Sequence, residues 1–158
     1  MENEVNDAEK TPLMPPCLHQ TEPGPPPPPS EQGIVPDEID RIPVIYIAGP
    51  FVAADARLIE LNVRRAEEAA YELEALGAST VCPHTNTRWQ DNRTPYEQKC
   101  RTTMAALRRC DAVFWLPDWR ESKGARAEHE DALRCRKVML YSMAEARGYI
   151  TFCLGSTR

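Results

Sequence analysis

The chain has 158 residues, enough for one domain, and carries 19 Lys and Arg against 24 Asp and Glu, a formal net charge of −5. That balance gives no sign of a nucleic-acid binder. The longest mostly apolar stretch, Val44–Ala54 at about 11 residues, falls short of the roughly 20 that a membrane-spanning helix needs.

The totals hide a division. Residues 1–41 hold nine acidic and two basic residues, or −7, whereas residues 42–158 hold 15 acidic and 17 basic, or +2. Ten of the 15 prolines lie between Pro12 and Pro36, and the run Pro25–Pro29 favours polyproline II, which buries little surface. The first 41 residues therefore read as a disordered, acidic, Pro-rich leader, and residues 42–158 as the folded domain. The acidic N-terminus lacks the basic start and apolar run of a signal peptide, so a soluble cytoplasmic protein is expected. Six cysteines without a CxxC pair read as reduced thiols, and His19, His84 and His129 fall at no zinc-ligand spacing, so neither metal nor cofactor is expected.

In chain order, residues 43–48 form a continuous apolar run ended by Gly49-Pro50, a buried strand. Leu58, Leu61, Ala66, Ala69, Ala70, Leu73 and Leu76 recur at helical spacing, with Gly77 as the stop. Ser79–Cys82 fits a second strand, closed by Pro83. Trp89, between Arg88 and Arg93, falls in a loop. A helix over Tyr96–Arg109 turns Met104 and Leu107 inward, and Ala112–Leu116 is a third strand broken by Pro117. A helix over Ser122–Arg136 and a fourth strand over Val138–Tyr141 follow. Met143–Arg147 reads as a helical turn and Tyr149–Leu154 as a weak fifth strand. Strands alternating with helices imply an α/β fold, a doubly wound, flavodoxin- or Rossmann-like parallel sheet of four to five strands with helices on both faces.

In such sheets ligands bind beyond the carboxyl ends of the strands. That directs attention to Gly49-Pro50-Phe51, to Pro83-His84, and to Pro117-Asp118-Trp119-Arg120-Glu121-Ser122. Ser122 is suited to cap the following helix, and Gly124 lets a ligand approach backbone N–H groups at the positive helix end. Glu128 follows about one and a half turns into that helix. The plain alternative is a capping serine and a solvated surface glutamate. Trp115 reads as core. Trp119 reads either as a surface for stacking a nucleobase or as a lid over the helix.

Five pieces occur here in one order: Val44-Ile-Tyr46-Ile-Ala-Gly49-Pro50-Phe51, a long helix containing Asn62, Pro83-His84, Cys110-Asp111-Ala-Val113, and Trp119-x-x-Ser122-x-Gly124-Ala-x-x-Glu128. Together they resemble the nucleoside 2-deoxyribosyltransferase-like superfamily, in its DUF4406-type branch, over about residues 43–141. The resemblance implies N-glycosidic bond chemistry on a small-molecule nucleoside or nucleotide, with Glu128 attacking the anomeric carbon and Tyr46 orienting its carboxylate. It implies that Gly49, Pro50 and Phe51 admit the sugar, and that Ser122 binds a 5′-phosphate, with Lys123, Gly124 and Arg126 at the same helix mouth. It also implies a homo-oligomer, since relatives often complete one another's sites.

One position departs from that pattern. Relatives place an Asp that helps protonate the departing base about eight residues before Asp111, and Thr103 stands there. His84 and Asp118 are the candidate substitutes, and the plain alternative for His84 is a ring that hydrogen-bonds a neighbouring loop. Two other readings stand beside cleavage or transfer: a nucleotide-binding module without efficient catalysis, and an interaction protein acting through its Pro-rich leader.

Overall fold

A computed structural model describes residues 39–88 and 94–155. The leader, apart from its last three residues, and the loop bearing Trp89 and Arg93 lie outside the described residues. The element order is β1 (Val44–Ala48), α1 (Ala56–Ala75), β2 (Ser79–Val81), α2 (Pro83–Thr87), α3 (Tyr96–Leu107), β3 (Ala112–Trp115), a 3₁₀ turn (Trp119–Glu121), α4 (Lys123–Arg134), β4 (Val138–Leu140) and α5 (Met143–Gly155). Among the described residues, no helix is long and apolar enough to cross a membrane.

The four strands pair in parallel in the order β2-β1-β3-β4. In register, Tyr46 stands between Val81 of β2 and Val113 of β3. Successive strand side chains point to opposite faces, and the core follows that alternation. Ile45, Ile47, Ala112 and Phe114 pack with Ala66, Ala69, Ala70 and Leu73 of α1 and with Ala146 and Ile150 of α5. Tyr46, Ala48, Val113 and Trp115 pack with Leu107 of α3 and with Ala125 and Ala132 of α4. Helices thus cover both faces, as the alternating apolar pattern implies. The chain leaves β1 toward β2 and leaves β3 toward β4. The crevice between the ends of β1 and β3 is therefore the switch point where such sheets bind ligands.

Local chemistry explains the boundaries. Asp55 caps α1 by accepting from the Leu58 N–H at 2.9 Å. Gly77 ends the helix at φ 97°, a left-handed conformation that glycine adopts without strain. Pro83 does more than close β2: it opens a short helix at a position where its missing N–H costs nothing. At the opposite end of the sheet from the crevice, the Asp111 carboxylate accepts from the Val44 N–H at 2.8 Å, tying the start of β3 to the start of β1. The Cys110-Asp111 piece is therefore scaffold.

The expected fifth strand is corrected to a helix: Met143–Gly155 is α5, and the sheet has four strands. The β-branched and aromatic residues from Tyr149 to Leu154 suggested a strand, but tertiary packing overrides that preference. Ala146 and Ile150, one turn apart, bury together on the α1 side of the sheet. The overlooked signal is Ser142-x-x-Glu145, a helix-start pattern. The Ser142 hydroxyl accepts from the Glu145 N–H at 3.2 Å, and the Glu145 carboxylate accepts from the Tyr141 N–H at 2.6 Å.

Two scaffold contacts give testable stability effects. A Cβ on Gly49 would lie 2.7 Å from Leu116 Cδ1 and 2.8 Å from Leu116 Cβ, so the loop after β1 can pass β3 only without a side chain. Gly49→Ala is expected to lower stability by about 1–3 kcal/mol, seen as an earlier urea midpoint. An unchanged midpoint would mean that the loop shifts freely. On α4, the buried Asp131 carboxylate accepts two hydrogen bonds from Arg108 of α3, both 2.8 Å, and a third from Arg134. The Arg108 hydrogen bonds hold the Asp131 pKa below its ordinary 3.8. A lowered carboxylate contributes stability above its unfolded pKa and loses it as pH falls through the folded value. Asp131→Asn should therefore cost about 2 kcal/mol near pH 7. The gap to the parent chain should close below pH 3.8, where the parent carboxylate takes up its proton.

Candidate functional site

Tyr46 is wholly buried on the α3–α4 face of β1. Its hydroxyl donates a 2.6 Å hydrogen bond to Glu128 Oε1. The link crosses from the first strand to the helix that follows the third, so only the folded sheet brings the two together. Burial and the neighbouring carboxylate push the Tyr46 pKa far above its ordinary 10.0, so the phenol keeps its proton and stays a donor.

Burial also lifts Glu128, from 4.5 to about 7, while hydrogen bonds from Tyr46 and Thr103 hold it down. The result is a carboxyl group poised between its two forms near neutral pH. Such a perturbation marks a group suited to chemistry. The plain alternative of a solvated helix glutamate does not fit a half-buried carboxyl bonded to a buried phenol.

Thr103, at the position of the expected acid, sits beside this pair. Its hydroxyl donates to the Cys100 carbonyl at 3.1 Å, and the residue lowers the pKa of both Glu128 and Tyr46. It thus favours the ionised form of Glu128, a role the sequence did not suggest.

The two candidate replacements for the acid stand apart from Glu128. His84 is 4% exposed, and its Nε2 lies 3.2 Å from the Pro50 carbonyl. A carbonyl can only accept, so Nε2 carries the proton and Nδ1 is bare. Among the described residues, Nδ1 has no hydrogen-bond partner. Burial pushes the His84 pKa down, keeping the ring neutral. The Phe51 ring meets it edge-on at 5.9 Å, and Asn62 of α1 donates to the Phe51 carbonyl at 3.4 Å. His84 and Asn62 thus pin the Gly49–Phe51 loop. Asp118 is exposed at φ 63° and turns the chain out of β3, its carbonyl accepting from the Glu121 N–H at 2.9 Å. Neither residue hydrogen-bonds Glu128.

Of the two readings of Trp119, the packing matches the lid. The residue is 8% exposed, stacked on His129 at 4.2 Å, near Trp115 at 5.0 Å and under the Arg120 guanidinium at 4.6 Å. Its ring is occupied by packing, which is the lid alternative. His129, next to Glu128 in sequence, was not singled out, and it also meets the Tyr141 hydroxyl at 2.9 Å.

At the mouth of α4, Ser122 caps the helix by accepting from the Ala125 N–H at 3.3 Å. Lys123 is exposed, and Arg126 is exposed with one nitrogen donating to the Arg120 carbonyl at 2.7 Å. A cleft of about 330 Å³ is lined by Thr103 together with Pro83, Asn86, Thr87, Gln98 and Thr102 among others, and by neither Tyr46 nor Glu128.

The fold and site together define a doubly wound α/β domain in which a buried strand tyrosine holds a half-buried glutamate at the switch point. The chain belongs to the DUF4406 family, described as a domain of unknown function, whose match covers residues 43–141 and so includes Tyr46, His84, Thr103, Trp119, Ser122 and Glu128. No curated protein matches it.

Proposed function

We propose that this domain cleaves the N-glycosidic bond of a nucleoside, a 2-deoxynucleoside or a 5′-monophosphate of either. Glu128 is the nucleophile, and the sugar passes to water or to a second base. The observation that carries this reading is the 2.6 Å hydrogen bond from Tyr46 to Glu128, on a carboxyl lifted to about 7. It is the arrangement implied by the resemblance to the deoxyribosyltransferase-like superfamily.

In the first step a Glu128 oxygen bonds to C1′ as the C1′–N bond breaks, and that electron pair leaves with the base nitrogen. In the second, water or a base nitrogen attacks C1′, the bond from C1′ to the Glu128 oxygen breaks to free the carboxylate, and the proton lost by the incoming nucleophile neutralises the departed base. Tyr46 keeps its proton throughout and fixes the attacking oxygen. The cleft that Thr103 lines is where this reading places the departing base, and about 330 Å³ lies at the small end of ligand sites.

Chromatography of mixtures of the chain with common nucleosides and monophosphates, with and without a free base, tests the reading. Free base should appear. If calorimetry detects binding but no base is released, a second reading takes over, a nucleotide-binding module without efficient catalysis. Thr103 in the place of an acid favours that alternative.

Within the first reading, Ser122, with Lys123 and Arg126, receives the 5′-phosphate at the α4 mouth. Ser122→Ala should raise KM for monophosphates about tenfold, with a smaller effect on nucleosides. Equal effects on both would remove the phosphate assignment.

A further inference from the structure

Gly124 and Glu128 are four residues apart on α4 and share one face of the helix. Helical side chains lean toward the N-terminus, so the ground in front of the Glu128 carboxylate extends toward Gly124. A Cβ built on Gly124 would stand 3.8 Å from Ser122 Oγ and 3.9 Å from the Tyr96 hydroxyl. Those are ordinary contact distances, so scaffold packing does not demand glycine there. The missing side chain leaves the Gly124 backbone faced by two hydroxyls, Ser122 at the start of its own helix and Tyr96 from α3.

Tyr96 belongs to the first turn of α3, and its residue is 59% exposed. Cys100 chiefly, then burial and last the Glu128 charge keep the pKa of its phenol above the ordinary 10.0. It therefore remains a hydrogen-bond donor. Gly124 and Glu128 are about 6 Å apart along the axis, close to the span of a furanose from its anomeric carbon to its 5′ oxygen.

We propose that Tyr96 is a ligand-contacting residue of this site, its hydroxyl donating to an oxygen on the 5′ side of a pentose whose anomeric carbon lies at Glu128. This deepens the proposed function and rests on its placement of a pentose at Glu128. Ser122 and Tyr96 then hold the same end of the sugar from opposite sides, and Gly124 provides the room between them.

The test is calorimetry on the full chain with two probes, 2-deoxyribose 5-phosphate and 2-deoxyribose. Tyr96→Phe keeps the ring and should weaken 2-deoxyribose 5-phosphate about tenfold. Weakening of both sugars assigns the hydroxyl to the pentose itself, and weakening of the phosphate ester alone assigns it to the phosphate. Gly124→Ala should also lose affinity, with Tm unchanged or higher because alanine favours helix. Equal affinity of the parent chain and Tyr96→Phe for both probes, or no binding of either probe to the parent, overturns the proposal. Failure of the wider reading looks different. Sugar binding that depends on Tyr96, with no base release, would sink the Glu128 nucleophile and leave the Tyr96 contact standing. Base release that depends on Glu128 but not on Tyr96 would remove only this inference.

Discussion

Glu128→Gln is expected to abolish base release, by at least about 10³-fold, while making the protein more stable at pH 8. Both effects follow from one property. An amide cannot form the glycosyl ester, yet its oxygen still accepts from the Tyr46 hydroxyl, so the packing around α4 is kept. The parent carboxyl is lifted from 4.5 to about 7 in the folded state, chiefly by burial. A raised carboxyl favours the fold below its unfolded pKa, and that advantage is lost as pH rises through the folded value. At pH 8 the parent chain must hold a desolvated charge, at a cost on the order of 2 kcal/mol once partial exposure is allowed for. Glu128→Gln removes the cost, so its Tm should exceed the parent's by roughly 5 °C at pH 8 and by little at pH 5. A solvated surface glutamate would give no pH-dependent gain. Unchanged turnover in the variant would eliminate Glu128 as nucleophile.

Tyr46→Phe should lower kcat/KM about 100-fold, the usual loss when one fixed donor to a reacting oxygen is removed. Its effect on pH dependence is more diagnostic. The parent should gain kcat/KM as pH rises through about 7, because the attacking form of Glu128 is the ionised one. The Tyr46 hydrogen bond is a principal force holding that pKa down, so its removal must move the midpoint upward. A purely structural tyrosine would lower stability and leave the midpoint in place.

Much of the scaffold was legible because its signals are local. The run from Val44 to Ala48, the helical recurrence from Leu58 to Leu76 and the stop at Gly77 each act within a few residues. Helix α5 was misread because the β-branched and aromatic residues from Tyr149 to Leu154 outweighed the cap at Ser142–Glu145. What makes them helical is burial of Ala146 and Ile150 against α1, a contact across the whole domain.

The candidate site was legible to a different degree. Alternation along β1 could place Tyr46 opposite Ile45 and Ile47, but nothing local says that its hydroxyl meets Glu128, 82 positions away. That pairing came from the family resemblance. Thr103 stands where an acid is missing, and its effect in the structure is to lower the Glu128 pKa. Tyr96 went unnoticed, although helices of a doubly wound sheet begin at the crevice edge, which should have marked its first turn. Gly49 also has a packing reason, since a Cβ there would meet Leu116, whereas a Cβ on Gly124 would meet Ser122 and Tyr96 only at ordinary contact distance.

The most direct measurement is mass spectrometry on the acid-quenched reaction of the chain with the nucleoside or monophosphate that yields free base. Digestion should locate one added pentosyl or phosphopentosyl group on Glu128, absent from Glu128→Gln. Base release with no adduct on Glu128 in either quenched or steady-state samples, or an adduct on a different residue, would contradict the account.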